Sequence, residues 1–328
     1  MNKKITVLLI IVLIALLLQG CGGQKTPAEP TEPDHIVVHI LPYIGYAPLY
    51  IAEELGYFDE ENLDVEFLEI RSIPEQVASM VLGELDVAAP FMSAGLFPGI
   101  ASANIRIVAE KGHVPVSGCP ASVLVARQGL DLQGPEDLAG LTVSYSEFSI
   151  EQLFMEKLLA RAGLTLDDIN TINTSFTPDE MAGLSEGTID LSNFAEPWTS
   201  RANQSGITET WMEYGEIIPD FQFAFLMFGP SILEDNPDIG FRFMRAYQKG
   251  VEQYNLGATE ENTPLLAEFT GLDLEVVQNI CWPTFRADLS VNADSISEFQ
   301  DWAFENGMVD ELVNVDDLID TQFVDALK

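Results

Sequence analysis

The clearest pattern of hydrophobic and polar positions lies early in the chain. Residues 36–41 are β-branched and apolar, which predicts a largely buried strand. Apolar residues at helical spacing follow, with Pro48 suited to the first helical turn and Gly56 to the position just past the end. Residues 63–67 alternate as a second strand. The pattern predicts a βαβ unit whose first loop, residues 43–48, is a candidate ligand-binding wall.

Strand and helix patterns then alternate along the rest of the chain. Short apolar strands, loops, capped helices and glycines follow one another, which indicates an α/β fold. An aromatic strand at residues 221–228 suits a crossing back into the first part of the fold, and the chain after Pro230 looks helical. The other predicted strands are residues 85–89, 105–109, 121–126, 141–145 and 189–191, and the predicted helices include those that end at Gly83, Gly163 and Gly187.

A faint internal repeat supports two lobes of similar plan. Residues 83–87 and 187–191 share the pattern G-x-[LI]-D-[VL]. Each follows a predicted helix and precedes a loop that carries an aromatic residue. The alternative is that a glycine between helix and strand is common punctuation in α/β proteins.

The sequence from Tyr43 onward, Y-x-x-Y-A-P-L-Y-I-A-E-E-L-G-Y-F-D-E-E-N-L-D-V-E, resembles the opening of the periplasmic binding proteins for nitrate, alkanesulfonates, taurine and thiamine pyrimidine precursors. Glu196-Pro197-Trp198 is a second mark of that family. The resemblance implies a two-lobed α/β fold of the type II periplasmic binding proteins, each lobe a mixed sheet flanked by helices, with two crossing segments. On that plan, residues 34–127 and 222–328 form lobe one, and residues 128–221 form lobe two.

Residues 1–20 are predicted to be a lipoprotein signal peptide. A basic start precedes an apolar run at residues 5–18, which is shorter than the roughly 20 residues that a spanning helix needs. The Leu-Gln-Gly-Cys sequence that follows resembles a lipoprotein signal-peptidase site and predicts lipidation of Cys21. An ordinary cleavage site and an uncleaved anchor are the alternatives. Residues 21–33, rich in Pro, Thr and Glu, are predicted to be a flexible tether.

The chain is strongly acidic, with a formal net charge of -37. This charge argues against nucleic acid or an anionic membrane surface as a partner. It keeps a protein soluble, and adaptation to a salty habitat is a further hypothesis. Cys119 and Cys281 are compatible with a disulfide in an oxidising exterior and equally with two buried thiols.

Motifs of catalysis are missing from the sequence. It contains no H-E-x-x-H, C-x-x-C, G-x-S-x-G, G-x-G-x-x-G or P-loop pattern. We therefore expect a binding protein rather than an enzyme, with no cofactor and no metal. The rival class is an enzyme that resembles hydroxymethylpyrimidine phosphate synthase, although the cysteine-rich motif of that enzyme is absent here.

Four loops are expected to converge on one cleft between the lobes: residues 43–48, 91–93, 145–149 and 193–198. They combine flat aromatic faces with a few polar groups, as small-molecule pockets do. Glu196 is a candidate hydrogen-bond acceptor for an amino group, or else a cap for backbone amides. Trp198 is a candidate stacking surface, or else a core residue. The predicted ligand-binding residues are Tyr43, Tyr46, Arg71, Phe91, Met92, Ser93, Tyr145, Phe148, Ser149, Asn193, Glu196 and Trp198.

The charge of the ligand can be argued both ways. Helix amino ends after Pro48 and Ser149 favour an anion, and Arg71 could pair with one. Glu147 and Glu196 in the candidate loops would repel an anion. We therefore expect an amine-bearing heterocycle such as a thiamine pyrimidine precursor, with an alkanesulfonate, taurine or nitrate as the alternative. The resemblance implies a monomer, anchored by lipid in the cell envelope, that delivers its ligand to the permease and ATPase subunits of an ABC importer.

Overall fold

The computed structural model describes residues 32–174 and 177–328. Within them, two five-stranded mixed sheets are each flanked by helices. This arrangement confirms the predicted fold class. The predicted signal peptide, Cys21 and almost all of the predicted tether lie outside the described residues.

The two sheets share one strand order. One sheet has the order β2-β1-β3-β10-β4 and belongs to lobe one; the other has the order β7-β6-β8-β5-β9 and belongs to lobe two. The strands are β1 (Asp34–His39), β2 (Leu63–Leu68), β3 (Val87–Ala88), β4 (Arg106–His113), β5 (Val123–Arg127), β6 (Thr142–Tyr145), β7 (Asn170–Asn173), β8 (Leu191–Phe194), β9 (Thr208–Glu213) and β10 (Gln222–Phe228). In lobe one, β1 pairs in parallel with β2 and β3, and β10 lies antiparallel between β3 and β4. In lobe two, β6 pairs in parallel with β7 and β8, and β5 lies antiparallel between β8 and β9.

The division between the lobes lies earlier in the chain than the prediction places it. Strand β5 pairs antiparallel with β8 and β9, so Val123–Arg127 belongs to lobe two and not to lobe one. The first crossing therefore lies between β4 and β5, and the second between β9 and β10. The apolar pattern predicts the strand but not its sheet, because a buried strand pairs equally well in either.

Helices cover both sheets. They are α1 (Ala47–Glu54), α2 (Tyr57–Glu60), α3 (Ile73–Leu82), α4 (Leu96–Ser102), α5 (Ile150–Ala160), α6 (Thr177–Glu186), α7 (Trp198–Gln204), α8 (Pro237–Tyr254), α9 (Asn262–Thr270), α10 (Leu274–Asn279), α11 (Ala293–Glu305) and α12 (Gln322–Asp325). The opening βαβ unit forms as predicted, with Pro48 in the first turn of α1. Gly56 has φ 72°, a left-handed conformation that glycine adopts without strain, and it separates α1 from the short helix α2.

The aspartate of the internal repeat has the same role in both lobes. The Asp86 carboxylate accepts a hydrogen bond from the Val37 amide at 2.8 Å, and the Asp190 carboxylate accepts one from the Thr142 amide at 2.9 Å. The carboxylate therefore ties the start of β3 to β1 in lobe one and the start of β8 to β6 in lobe two. The repeat therefore reflects a similar structure in the two lobes and not only the frequent occurrence of glycine between helix and strand.

The two lobes are joined by packing and by a covalent link near one crossing. A continuous buried apolar cluster includes Phe97 and Phe299 of lobe one and Phe154 of lobe two. Cys119 and Cys281 form a disulfide with their Cα atoms 5.2 Å apart, which decides between the alternatives left open by the sequence. Among the described residues, no helix combines the length and the apolar character that a membrane span requires.

Candidate functional site

The carboxyl ends of the parallel strands of both lobes face one cleft, and the lobes touch there. The Ala94 amide of lobe one donates a hydrogen bond to the Phe148 carbonyl of lobe two at 2.8 Å. Ser93 and Ser149 are partners in an isolated antiparallel bridge. Two of the four predicted loops, residues 91–93 and 145–149, are therefore in direct contact, and the cleft between the lobes is closed at this point.

Lobe one lines the cleft with aromatic rings. The Phe91 ring stacks on the Phe223 ring with centroids 6.2 Å apart and meets the Tyr43 ring edge-on at 6.5 Å. Tyr46 lies behind them, fully buried, and donates a hydrogen bond from its hydroxyl to the Ala89 carbonyl at 2.7 Å. The predicted aromatic wall thus exists, with Tyr43 and Phe91 partly exposed at its surface and Tyr46 as its support.

A lysine is buried behind the same wall. Lys111 of β4 is 1% exposed, and its Nζ lies 3.4 Å from the centroid of the Tyr46 ring and 4.2 Å from that of the Phe91 ring. No described residue accepts a hydrogen bond from this nitrogen. Burial lowers the pKa of Lys111 well below its ordinary value, although Glu110 opposes the shift. The faces of the two rings are the main contacts of this amino group, as in a cation–π site.

Lobe two presents two carboxyl groups instead. Glu180 of α6 accepts a hydrogen bond from the Ser144 hydroxyl at 2.9 Å, and Glu151 of α5 accepts one from the Ser146 amide at 2.7 Å. Burial raises the pKa of Glu180 to about 7. Burial and the charge of Glu180 raise the pKa of Glu151 to about 8, although part of its side chain remains exposed. Two buried carboxyl groups that act on each other electrostatically retain a proton near neutral pH unless a cation joins them.

Tyr43 reaches across the cleft to these groups. Its hydroxyl hydrogen-bonds to the Thr177 side chain at the start of α6, and burial is the largest cause of its raised pKa. The charges of Arg71, Glu180 and Glu151 also act on the pKa of this phenol. The electrostatic contacts place Arg71, which is exposed on lobe one, near the same end of the cleft.

Other predicted site residues of lobe two differ in how far their side chains are exposed to solvent. Tyr145 and Asn193 are buried, and Asn193 accepts a short hydrogen bond from the Tyr214 hydroxyl. Ser149 begins α5, where its Oγ accepts a hydrogen bond from the Glu151 amide at 3.1 Å. Phe148 is 52% exposed at the edge of the cleft.

The predicted residues Met92, Glu196 and Trp198 have structural contacts of their own. Met92 is buried in the apolar cluster that joins the lobes. The Glu196 carboxylate is buried and accepts hydrogen bonds from the Ser200 hydroxyl at 2.9 Å and the Ser200 amide at 3.3 Å. Trp198 packs against a small apolar cluster of lobe two. Contact with a ligand remains a prediction for these residues.

Sequence reasoning missed Lys111, Glu151 and Glu180. In so acidic a chain, two more glutamates in helical segments resemble the many that are solvated. The available signal was position: Glu151 lies two residues into a helix that follows a strand-end loop. Lys111 is one of only 15 lysines and arginines, and it lies two residues after the apolar run at residues 107–109.

Comparison with known proteins places this fold in a family. A model of the NMT1/THI5-like family matches residues 44–255, which covers most of both lobes. The chain belongs to the NMT1/THI5-like family. This membership confirms the family resemblance of its sequence.

Several of the similar proteins are named as binding proteins. A protein of Bacillus subtilis (strain 168), provisionally named an aliphatic sulfonates-binding protein, is 25% identical over 325 residues, covering 97% of this chain and 95% of the relative. The formylaminopyrimidine-binding protein of Halalkalibacterium halodurans is 20% identical over 281 residues, covering 85% and 82%. The periplasmic aliphatic sulphonate binding protein of Escherichia coli shares the fold, with a TM-score of 0.70 at 18% identity over 88% of this chain and 97% of that one.

Proposed function

We propose that this NMT1/THI5-like protein is an extracytoplasmic solute-binding lipoprotein that captures an amine-bearing small molecule and delivers it to an ABC importer. The observation that carries the proposal is the pair Glu151 and Glu180 of lobe two, which accept hydrogen bonds from the Ser146 amide and the Ser144 hydroxyl and act electrostatically on Tyr43 of lobe one. Burial raises the pKa values of the two carboxyl groups to about 8 and about 7. An ammonium group, or an amino heterocycle protonated on a ring nitrogen, supplies the positive charge that replaces the retained proton and donates hydrogen bonds to both groups. A thiamine pyrimidine precursor has these groups together with a flat ring suited to Tyr43 and Phe91.

An anion such as an alkanesulfonate, taurine or nitrate is the second candidate. The sulfonate in the name of the Bacillus relative supports it, as do the amino end of α5 and Arg71 near Tyr43. The carboxyl pair opposes an anion without an amino group. A zwitterion such as taurine would use both kinds of contact.

Transport by closure requires no chemistry from the protein. A ligand held by Tyr43 and Phe91 on one side and by the carboxyl pair on the other stabilises the closed form, which a permease then recognises. The names of the similar proteins support this reading over the rival one of a hydroxymethylpyrimidine-synthase-like enzyme. Permease and ATPase subunits are therefore the proposed partners of a monomeric protein.

The lipid anchor at Cys21 is part of the proposal and has a separate test. Cys21→Ser should release the protein from the membrane fraction. An unchanged membrane fraction would remove the anchor from the account and leave the ligand proposal untouched.

A thermal-shift screen tests the ligand proposal. The protein from Gln24 onward would be mixed with aminopyrimidines, thiamine, taurine, ethanesulfonate and nitrate. A ligand at ~100 times its Kd adds about 2.7 kcal/mol of stability. We expect the largest shift from an aminopyrimidine and its loss in Glu151→Gln. A larger shift from ethanesulfonate or nitrate that persists in Glu151→Gln would refute the proposal of an amine-bearing ligand. It would leave the proposed role in transport standing.

A further inference from the structure

Helix α5 carries a chain of hydrogen bonds that begins and ends in lobe one. At its start, the Ala94 amide donates to the Phe148 carbonyl at 2.8 Å, and the Phe148 amide donates to Gln152 Oε1 at 2.8 Å. Gln152 Nε2 then donates to Glu156 Oε1 at 2.9 Å. Trp302 Nε1, on α11 of lobe one, donates to Glu156 Oε2 at 2.8 Å. We call these five residues the α5 relay.

Two side chains of the relay are buried, and each of their polar groups has one partner. Gln152 and Trp302 are both buried, and the amide of Gln152 uses its oxygen and its nitrogen in different bonds. Each oxygen of the Glu156 carboxylate accepts one bond, from Gln152 or from Trp302. Such a carboxylate is a fixed junction, because a turn of its side chain would cost both bonds. By contrast, the ion pair of Lys157 with Glu298, at 2.6 Å between the same two helices, is considerably exposed and expected to contribute little.

The relay also holds a strained residue. Phe148 has φ 60°, the left-handed region that non-glycine residues seldom occupy. Its amide is held by Gln152 within lobe two, whereas its carbonyl is held by Ala94 across the cleft. Strain of this kind persists only where the surroundings impose it. When the lobes part, the bond from Ala94 is lost, and the left-handed loop loses one of its two supports.

We propose that Gln152 and Glu156 are positioning residues that couple closure of the lobes to the order of the loop at residues 146–149. In the closed form, Trp302 fixes Glu156, Glu156 fixes Gln152, and Gln152 holds Phe148 where its carbonyl meets Ala94. Helix α5 also carries Glu151, the proposed ligand contact. Closure of the lobes and positioning of Glu151 therefore occur in one step. This inference rests on the proposed function, because it assigns the device by which that cleft shuts.

A cross-linking experiment tests the relay without any ligand. Ser93 and Ser149 are bridge partners across the cleft, and cysteines at antiparallel bridge positions lie within reach of a disulfide. The rate at which Ser93→Cys/Ser149→Cys closes under mild oxidant would be measured with and without Glu156→Gln. The amide of Gln has a single acceptor oxygen, so one relay bond must fail. We expect a fall of about tenfold in the cross-linking rate, the factor that about 1.4 kcal/mol produces.

Matched variants separate coupling from general damage. Glu298→Gln removes the exposed ion pair beside the relay and should leave the rate within about twofold. Phe148→Gly, which accepts φ 60° without strain, should restore part of the rate in the Glu156→Gln background. Equal rates in Glu156→Gln and the parent would overturn the relay. If Glu156→Gln does not fold, Trp302→Phe, which lacks the indole donor, gives the same comparison.

The outcome is independent of which ligand the cleft binds. A relay effect on cross-linking without any thermal shift from the ligand panel would refute the proposed ligands and keep the relay. A thermal shift without a relay effect would refute the relay and keep the proposed ligands.

Discussion

The two lobes have the same strand order and the same aspartate directly before strand β3 or β8, but they bring different side chains to the cleft. Lobe one offers the rings of Tyr43 and Phe91 with Lys111 buried behind them. Lobe two offers Glu151 and Glu180. The shared elements stabilise each lobe, whereas the differing residues lie at strand ends and helix starts.

The residues that build the two sheets are thus separate from those assigned to the ligand. In the proposed function, a ligand between the lobes would meet a flat apolar face on one side and hydrogen-bond acceptors on the other. Variants in each lobe test these two contributions separately, in decreasing order of effect.

The largest effect concerns the pH dependence of stability without ligand. The pKa of Glu180 is raised to about 7, so the folded state keeps a proton that the unfolded state loses above its ordinary value of 4.5. The stabilisation from this proton is complete below the unfolded pKa and is lost as the pH rises through the folded pKa. The free energy of unfolding should therefore fall from mildly acidic to mildly alkaline pH, by roughly 3 kcal/mol from Glu180.

Urea unfolding of Glu180→Gln across that range checks the prediction. The variant keeps the shape of the side chain and cannot ionise, so its stability should vary less with pH than that of the parent. Identical pH profiles would show that Glu180 ionises freely and that lobe two is not a confined carboxyl site.

The second prediction concerns affinity. Glu151→Gln should weaken an amine-bearing ligand by roughly 10- to 100-fold, because a hydrogen bond to a charged group contributes about 1.5–3 kcal/mol. Titration calorimetry measures this change. Glu147→Gln, an exposed carboxylate on the adjoining loop, is the matched control and should change the affinity little. Equal losses in both variants would point to general electrostatics rather than to a site.

The third prediction concerns the buried lysine of lobe one. Lys111→Met removes an amino group that has no hydrogen-bond acceptor among the described residues and keeps a side chain of similar length. The free energy of unfolding should rise by about 1–2 kcal/mol, since desolvation of the amino group no longer opposes folding. Urea unfolding measures it. A clear loss of stability would mean that the contacts with Tyr46 and Phe91 outweigh desolvation.

The smallest effect concerns the contact across the cleft. Tyr43→Phe removes the hydroxyl that bonds to the Thr177 side chain and keeps the ring. Ligand affinity should fall by about 1 kcal/mol, or roughly fivefold, because closure loses one hydrogen bond. Tyr43→Ala should cost more, since the ring is lost as well. Equal effects of the two variants would assign the whole contribution to the hydroxyl.

Local patterns in the sequence were sufficient for the fold. The first βαβ unit is predicted by the apolar run at residues 36–41 together with Pro48 and Gly56, because each of these features acts on its own stretch of backbone. Strand β5 was assigned to the wrong lobe, since sheet membership depends on partners distant in the chain.

The site was harder to predict because its chemistry depends on burial. The loops predicted Tyr43 and Phe91, whose rings lie together in the structure, and ligand contact by them stays a prediction. Glu151 and Glu180 were missed, since a glutamate acquires a pKa of about 7 or 8 only when the fold removes its water. Sequence alone does not distinguish them from the many exposed carboxylates of this chain.

Proton release on ligand binding distinguishes a site at the carboxyl pair from a site elsewhere. The aminopyrimidine that gives the largest thermal shift would be titrated calorimetrically in buffers of different ionisation enthalpy, at about pH 7 and about pH 9. The account predicts that binding near pH 7 releases protons from Glu151 and Glu180, and that affinity rises with pH as the pair ionises. Binding without proton release, together with tighter binding of an amine-free sulfonate, would contradict it.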